Sequence, residues 1–274
     1  MQVNKTHFKS ALKHLYNNSE SEILYQMLME NLLSKRVFDT VELDQQKHEI
    51  YLNYLDQLKQ EVPIQYILAI ADFYQLKFKV DKNVLIPRPE TEELVHLIIS
   101  DHKNKADLSI LDIGTGSGCI PVALKKNITQ AKVYAIDISE KALEIAKENA
   151  LINRVEVDFI LDDALNLLNQ KYPKFDVIVS NPPYIAAKEK QELQKQVLNH
   201  EPHLALFVDD ESPLVFYDKI ADFAINNLNK NGFLYFEINQ YLALETKQLI
   251  ENKGFKVDVI KDMNDNYRII KASF

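Results

Sequence analysis

A doubly wound α/β sheet behind a small helical domain is the fold that this 274-residue sequence predicts, and three observations predict it. From about Leu108 onward, short apolar runs alternate with helix-length amphipathic stretches, the order that builds a parallel sheet. Three of the five glycines stand together in Gly114–Gly118, directly behind the first of those runs. Lys5 to Lys59 holds neither glycine nor proline and reads as helix throughout.

Composition narrows the class. Apolar residues make up 46% and charged residues 26%, ordinary values for a globular protein. No apolar run approaches the ~20 residues of a membrane span. Met1–Lys5 lacks the apolar core of a signal peptide. Cys119 is the single cysteine, which fits a reducing compartment, so the cytoplasm is the expected location. The net charge of −8 speaks against a protein held to DNA mainly by phosphate contacts. Residues 1–75 carry 7 Lys/Arg and 10 Asp/Glu, so the N-terminal part is not a basic module either. No metal is expected: His7, His14 and His48 are isolated, and His200 and His203 straddle Pro202 with no third ligand nearby.

Three segments follow: a helical domain over 1–72, a hairpin and linker over 73–89, and the α/β domain over 90–274. Ser19 and Glu22 form a capping-box pair that opens a helix carrying Ile23, Leu24, Met27, Leu28 and Leu32. Phe73–Val80 alternates in its second half like a strand, with Asp81-Lys82-Asn83 as the turn of a hairpin. In Leu85-Ile86-Pro87-Arg88-Pro89-Glu90-Thr91-Glu92, Pro89 and the acids suit a helix start. Arg88, displayed between two prolines, reads equally as part of a rigid linker or as a lip of the site.

Leu108–Ile113 is the first buried strand. It runs into Gly114-Thr115-Gly116-Ser117-Gly118 and a helix from Cys119 to Lys126, a turn that brings bare backbone close to a ligand and a helix N-terminus that favours an anion. The next strand, Val133–Asp137, ends in an acid able to accept both hydroxyls of a ribose. The pattern Asp-x-Gly-x-Gly-x-Gly differs from the Gly-x-Gly-x-x-Gly of dinucleotide binders, which favours S-adenosylmethionine as cofactor. Ser139 caps the helix through Asn149. Val155–Ile160 is a third strand closed by Asp162-Asp163, a pair able to meet an adenine amino group or simply to face solvent. The fourth strand, Asp176–Val179, delivers Asn181-Pro182-Pro183-Tyr184 to its carboxyl end, where ligands of such sheets bind. The Asn181 side-chain oxygen and the Pro182 carbonyl are two fixed acceptors suited to a planar NH2 group, and Tyr184 offers a flat face. Beyond lie a polar helix over Lys188–Leu198, a helix over Pro213–Leu228, a turn at Asn231-Gly232, a strand over Phe233–Ile238, a helix over Leu242–Asn252, and closing strands Phe255–Ile260 and Tyr267–Lys271.

Taken together, Pro63-Ile64-Gln65-Tyr66, Leu85 to Glu92, the glycine turn, Asn181-Pro182-Pro183-Tyr184-Ile185 and Glu201-Pro202 resemble the protein-(glutamine-N5) methyltransferases that modify peptide-chain release factors. The resemblance covers nearly the whole chain and is weakest over residues 1–60. It implies a Rossmann-like class I S-adenosylmethionine-dependent methyltransferase sheet, and a small N-terminal helical bundle that helps dock the release factor. It also implies an enzyme that methylates the glutamine of the Gly-Gly-Gln loop, with catalysis and substrate binding at Asn181, Pro182, Pro183 and Tyr184. The cofactor would lie against Gly114, Thr115, Gly116, Ser117, Gly118, Asp137, Asp163, Ala164 and Asn181. The chain departs from the family pattern at Ala69 and Gln75, where glycines are usual, and at Ala164, where an aromatic often lies against the cofactor. Adenine-N6 and guanine-N2 methyltransferases use the same Asn-Pro-Pro-Tyr logic on other planar amines and are the alternative; direct DNA binding and membrane contact are not expected.

Overall fold

The computed structural model describes residues 1–37, 39–167, 172–186, 190 and 195–274. Two units emerge, Met1–Ile70 with Gln194–His200, and Ala71–Leu193 with Glu201–Phe274.

The first unit comprises β1 (Gln2–Asn4), α1 (Lys5–Leu12), α2 (Asn18–Leu33), β2 (Thr40–Glu42), α3 (Gln45–Lys59) and α4 (Ile64–Leu68). Side-chain caps start α1, α2 and α3. Asn4 accepts from His7 N at 2.8 Å, and Asp44 from Lys47 N at 2.8 Å. The capping box of α2 is Asn17 with Glu20, not the expected Ser19 with Glu22: Asn17 Oδ1 accepts from Glu20 N, and Glu20 Oε2 accepts from Asn17 N, both at 2.9 Å. Glu22 pairs with Lys5 instead. Phe8, Leu12, Tyr25, Leu28, Met29 and Leu58 are fully buried and form the core. The antiparallel β1–β2 pair has no periodic signal in the sequence. A helix over Lys195–His200 also belongs here; Gln196 donates to the Tyr16 hydroxyl at 3.0 Å. The first residues of the helix expected over Lys188–Leu198 lie outside the described residues.

The second unit opens with β3 (Ile70–Phe73) and β4 (Leu76–Lys79). Their turn is Tyr74-Gln75, with φ of 48° and 61°, and not the expected Asp81–Asn83. Two-residue hairpin turns need left-handed residues, normally Asn or Gly, so the usual signal was missing. Asn149 and Asn153 of the helix Glu140–Asn153 hold the edge of this hairpin: Lys79 N donates to Asn149 Oδ1 at 2.6 Å, and Asn153 Nδ2 donates to Lys77 O at 2.9 Å. Gln75→Gly relieves the left-handed strain and is expected to raise stability by about 0.5–1 kcal/mol; a lower melting temperature contradicts this.

The rest is α5 (Pro89–His102), β5 (Ser109–Ile113), α6 (Cys119–Asn127), β6 (Lys132–Asp137), α7 (Glu140–Asn153), β7 (Asp158–Leu161), β8 (Phe175–Ser180), β9 (Ile185–Ala186), the first-unit helix α8 (Lys195–His200), α9 (His203–Leu206), β10 (Phe207–Val208), α10 (Val215–Asn227), β11 (Leu228–Glu237), α11 (Ala243–Glu251), β12 (Lys256–Lys261) and β13 (Tyr267–Ser273). Seven strands make one sheet in the order β12-β13-β11-β8-β5-β6-β7. The β11-β8-β5-β6-β7 run is parallel, and β13 joins it antiparallel, as expected of a doubly wound sheet with an antiparallel edge. Alternate residues feed two core layers: Val177 and Val179 pack with Leu94, Ile98 and Val122, while Ile178 packs with Ile220, Phe223 and Phe236. Asn231-Gly232 is a bulge inside β11 instead of a turn before it. A Cβ on Gly232 would sit 3.1 Å from Asp176 O, so a larger residue there would press on the neighbouring strand.

Helix α5 ends in a buried His102 whose Nε2 lies 2.9 Å from the Tyr235 hydroxyl. That hydroxyl donates to Asp101 Oδ2 at 2.7 Å, so its oxygen receives the Nε2 proton and Nδ1 is left buried without a partner. Burial, with Lys105 nearby, pushes His102 down to about 4. Its folded value lies below the unfolded ~6.5, so its contribution is complete above that pH and is lost as pH falls through 4, by about 3 kcal/mol. Wild-type stability minus that of a His102→Leu variant is expected to fall across this window in denaturant titrations; a flat difference contradicts it.

Candidate active site

The sheet register builds the site. Ile136 of β6 pairs with Ile113 of β5, Ile113 with Ser180 of β8, and Ser180 with Phe236 of β11. The next residue on each strand therefore emerges at the same carboxyl edge: Asp137, Gly114, Asn181 and Glu237. Four separate apolar runs thus deliver an acid, a glycine turn, a carboxamide and a second acid side by side.

A cavity of about 360 Å³ opens at this edge. Its wall includes Gly114, Thr115, Gly116, Ser117, Asp137, Asp163, Ala164, Asn181, Pro182 and Pro183, so the structure brings together most of the residues read from the sequence. Gly118 stands behind the wall. Its φ is +78°, and a Cβ there would meet the Ala146 Cβ at 3.0 Å, so it lets α6 and α7 close behind the turn. Asp137 ties turn to helix: its Oδ2 accepts from Gly116 N at 2.8 Å and its Oδ1 from Ser139 N at 2.9 Å. Burial raises the Asp137 carboxyl against those donors. Beneath the turn, burial pushes Asp112 up to about 7. Asp163 accepts from Leu165 N at 2.9 Å and from Asn166 Nδ2 at 2.5 Å, which fixes its turn. Cys119 is pushed up to about 12 by burial and has no nucleophilic character.

Arg88 lines the cavity and pairs with Glu201 Oε1 at 2.5 Å, while Glu201 Oε2 accepts from Ile86 N at 3.3 Å. The Leu85–Glu92 stretch is therefore a lip of the site, held by one buried acid. Phe216 of α10 is the aromatic of the wall among the described residues, on a different element from the Ala164 position.

Tyr184 follows Pro183 on the loop after β8. It does not line the cavity; its ring packs on the core layer with Phe236 and Tyr217, and its hydroxyl donates to Glu237 Oε1 at 3.4 Å. Desolvation, with Glu237 close by, raises its phenol, so it stays a neutral donor. Reading missed Thr91 and Glu237. Asn181 Nδ2 donates to Thr91 Oγ1 at 3.1 Å, and Thr91 Oγ1 donates to Glu237 Oε2 at 2.6 Å. An acid inside the apolar run Phe233–Ile238 was the available signal.

A family model described as the methyltransferase small domain matches residues 91–205. A release factor glutamine methyltransferase of Flavobacterium psychrophilum is 46% identical over 98% of this chain and 98% of its own length. The chain belongs to the release factor glutamine methyltransferase family. It is a methyltransferase. Another member, from Bacteroides thetaiotaomicron, is 40% identical over 97% of this chain and 98% of its own. Among solved structures, a methyltransferase from Pyrococcus furiosus shares the fold with a TM-score of 0.54 and 17% identity, covering 84% of this chain and 98% of that one. A T. thermophilus 16S rRNA N2 methyltransferase in complex with AdoMet and guanosine matches at 0.52 with 16% identity, covering 74% and 49%. At such identities these two show the fold alone. No helix among the described residues is long and apolar enough to cross a membrane.

Proposed function

We propose that this protein transfers a methyl group from S-adenosylmethionine to the side-chain amide nitrogen of the glutamine in the Gly-Gly-Gln loop of peptide-chain release factors. The observation that carries the reading is Asn181: its nitrogen is tied to Thr91, which leaves its oxygen free as an acceptor in the wall that also holds the glycine turn. The family's name supplies the substrate, and a release factor substrate implies a cytoplasmic reaction.

The residues fit the cofactor. At about 360 Å³ the cavity lies in the range of ligand sites, about 300–1,000 Å³. The space where Cβ atoms would stand on Gly114 and Gly116 is open. The buried Thr115 hydroxyl is turned toward the Asp112 carboxyl beneath the turn. Gly114 to Ser117 would hold the methionine end, with Gly118 packed behind them, Asp137 the ribose through its remaining lone pairs, and Asp163 with Ala164 the adenine. When bound, the cofactor supplies a methyl group on a sulfonium that leaves as a neutral thioether.

An amide nitrogen is a poor nucleophile because its lone pair is shared with the carbonyl. Asn181 Oδ1 and the Pro182 carbonyl accept its two N–H bonds and turn its lone pair toward the methyl carbon. Both hydrogen bonds strengthen as the nitrogen gains positive charge, so they favour the transition state over the ground state, and the methylated nitrogen then loses one of these protons to water to give the neutral N-methyl amide. The prolines keep these acceptors from rotating away. Tyr184 acts on this loop by anchoring it to Glu237 rather than by stacking on substrate. The N-terminal helical domain, residues 1–72, docks the release factor.

The test is incubation with tritiated S-adenosylmethionine and three substrates: a release factor, the same factor with its loop glutamine changed to alanine, and DNA. Label on the first alone is expected. Label on DNA moves the function to the nucleic-acid alternative.

A further inference from the structure

We infer that Thr91 and Glu237 are positioning residues, which lock the Asn181 carboxamide in the one orientation that presents its oxygen to the substrate nitrogen. The inference rests on the proposed role of Asn181 as acceptor for an NH2 group. Its ground is the hydrogen-bond chain that runs away from the cavity. A hydroxyl has one proton to give, and Thr91 gives it to Glu237 Oε2 at 2.6 Å. The Thr91 oxygen therefore meets Asn181 only as an acceptor, and the Asn181 atom 3.1 Å away must be its nitrogen. Oδ1 then faces the other way. An isolated asparagine has two amide orientations of nearly equal shape, and one of them would point its NH2 at the substrate's NH2 and block the reaction.

Glu237 is built in for this. Its side chain is buried at the end of β11, beside Asn181 at the end of β8. Its surroundings come from five elements. Thr91 and Glu90 reach it from α5 and Tyr184 from the loop after β8; Arg268 lies on β13, Cys119 on α6, and Tyr217 of α10 donates to its main-chain carbonyl at 3.2 Å. Burial raises its carboxyl to about 6, opposed by Thr91 and Arg268 and aided by Glu90. Above that pH the carboxylate can only accept, and the chain has one direction. Below it, Glu237 carries a proton of its own to give to Thr91. The Thr91 proton is then released toward Asn181, and the carboxamide can turn over so that its oxygen is engaged by Thr91. Methyl transfer is therefore expected to have an acid limb near pH 6 that belongs to a residue out of substrate contact.

The experiment is steady-state methylation of a release factor across pH 5 to 9 by wild type, Thr91→Val, Thr91→Ser and Glu237→Gln, alongside melting curves and cofactor titration. Thr91→Val keeps shape but cuts the chain. It is expected to lower kcat by about 10²-fold, the scale of a misplaced reactive group, with cofactor affinity unchanged and the acid limb gone. Thr91→Ser restores both rate and limb. A folded Thr91→Val protein with wild-type kcat and the wild-type limb overturns the inference. If Thr91→Val does not fold, Glu237→Gln decides: its amide can face Thr91 either way, so the limb disappears at a lowered rate, and a persisting limb overturns the inference. Wild-type protein that labels no release factor overturns the substrate reading, and the inference with it; normal wild-type activity with unaffected variants overturns the inference alone.

Discussion

Asn181→Ala is expected to lower turnover on a release factor by about 10²–10³-fold, the loss typical of removing one group aimed at transition-state charge. Cofactor affinity changes little, because the glycine turn and Asp137 would supply most of the cofactor's contacts. Asn181→Asp separates acceptor strength from orientation. It keeps two oxygens but cannot donate to Thr91, and it places a second carboxyl near Glu237. Like charges so close force one group to stay protonated, so this variant also loses most activity and its residual rate rises at low pH. Single-turnover rates and cofactor titrations check both. Unchanged turnover in Asn181→Ala contradicts the assignment.

Arg88→Met carries the largest expected effect on stability. Glu201 has a side chain only 1% exposed, and Arg88, 33% exposed, is its one ionic partner among the described residues. Removing one member of a buried pair leaves a charge in a low-dielectric site, which typically costs about 3–5 kcal/mol. The partial exposure of Arg88 sets the expectation at the low end, about 3 kcal/mol. The double variant Arg88→Met/Glu201→Leu removes both charges and is expected to recover most of that loss, because a well-packed apolar pair often replaces a buried ion pair without penalty. Denaturant unfolding of the two single variants and the double variant completes the cycle. Equal destabilisation in Arg88→Met and the double variant would show that the arginine stem, not the charge, matters.

The core of the fold was legible because its strands announce themselves twice, by apolar runs and by what ends them. Ile113 stops at Gly114, Ile136 at Asp137 and Ser180 at Asn181-Pro182, so strand ends and site residues were read in one step. The Tyr74-Gln75 turn hid for the opposite reason: left-handed positions normally filled by glycine hold a tyrosine and a glutamine, and the nearby Asp81–Asn83 carried the stronger turn signal. Asn17 was passed over as a cap because Ser19 and Glu22 fit the same spacing rule two residues later. Thr91 and Glu237 are 146 positions apart and meet only through tertiary packing of α5 against the sheet end, which local spacing does not encode. For Tyr184, the tetrapeptide shows a ring beside the site but not the buried acid that takes its hydroxyl proton.

The most direct measurement is mass spectrometry of a release factor after incubation with this protein and S-adenosylmethionine, with fragmentation to place the added group. One methyl on the side-chain nitrogen of the Gly-Gly-Gln glutamine, absent when Asn181→Ala protein is used, is the result predicted. A methyl on any other residue, or full modification by the Asn181→Ala protein, would contradict the account.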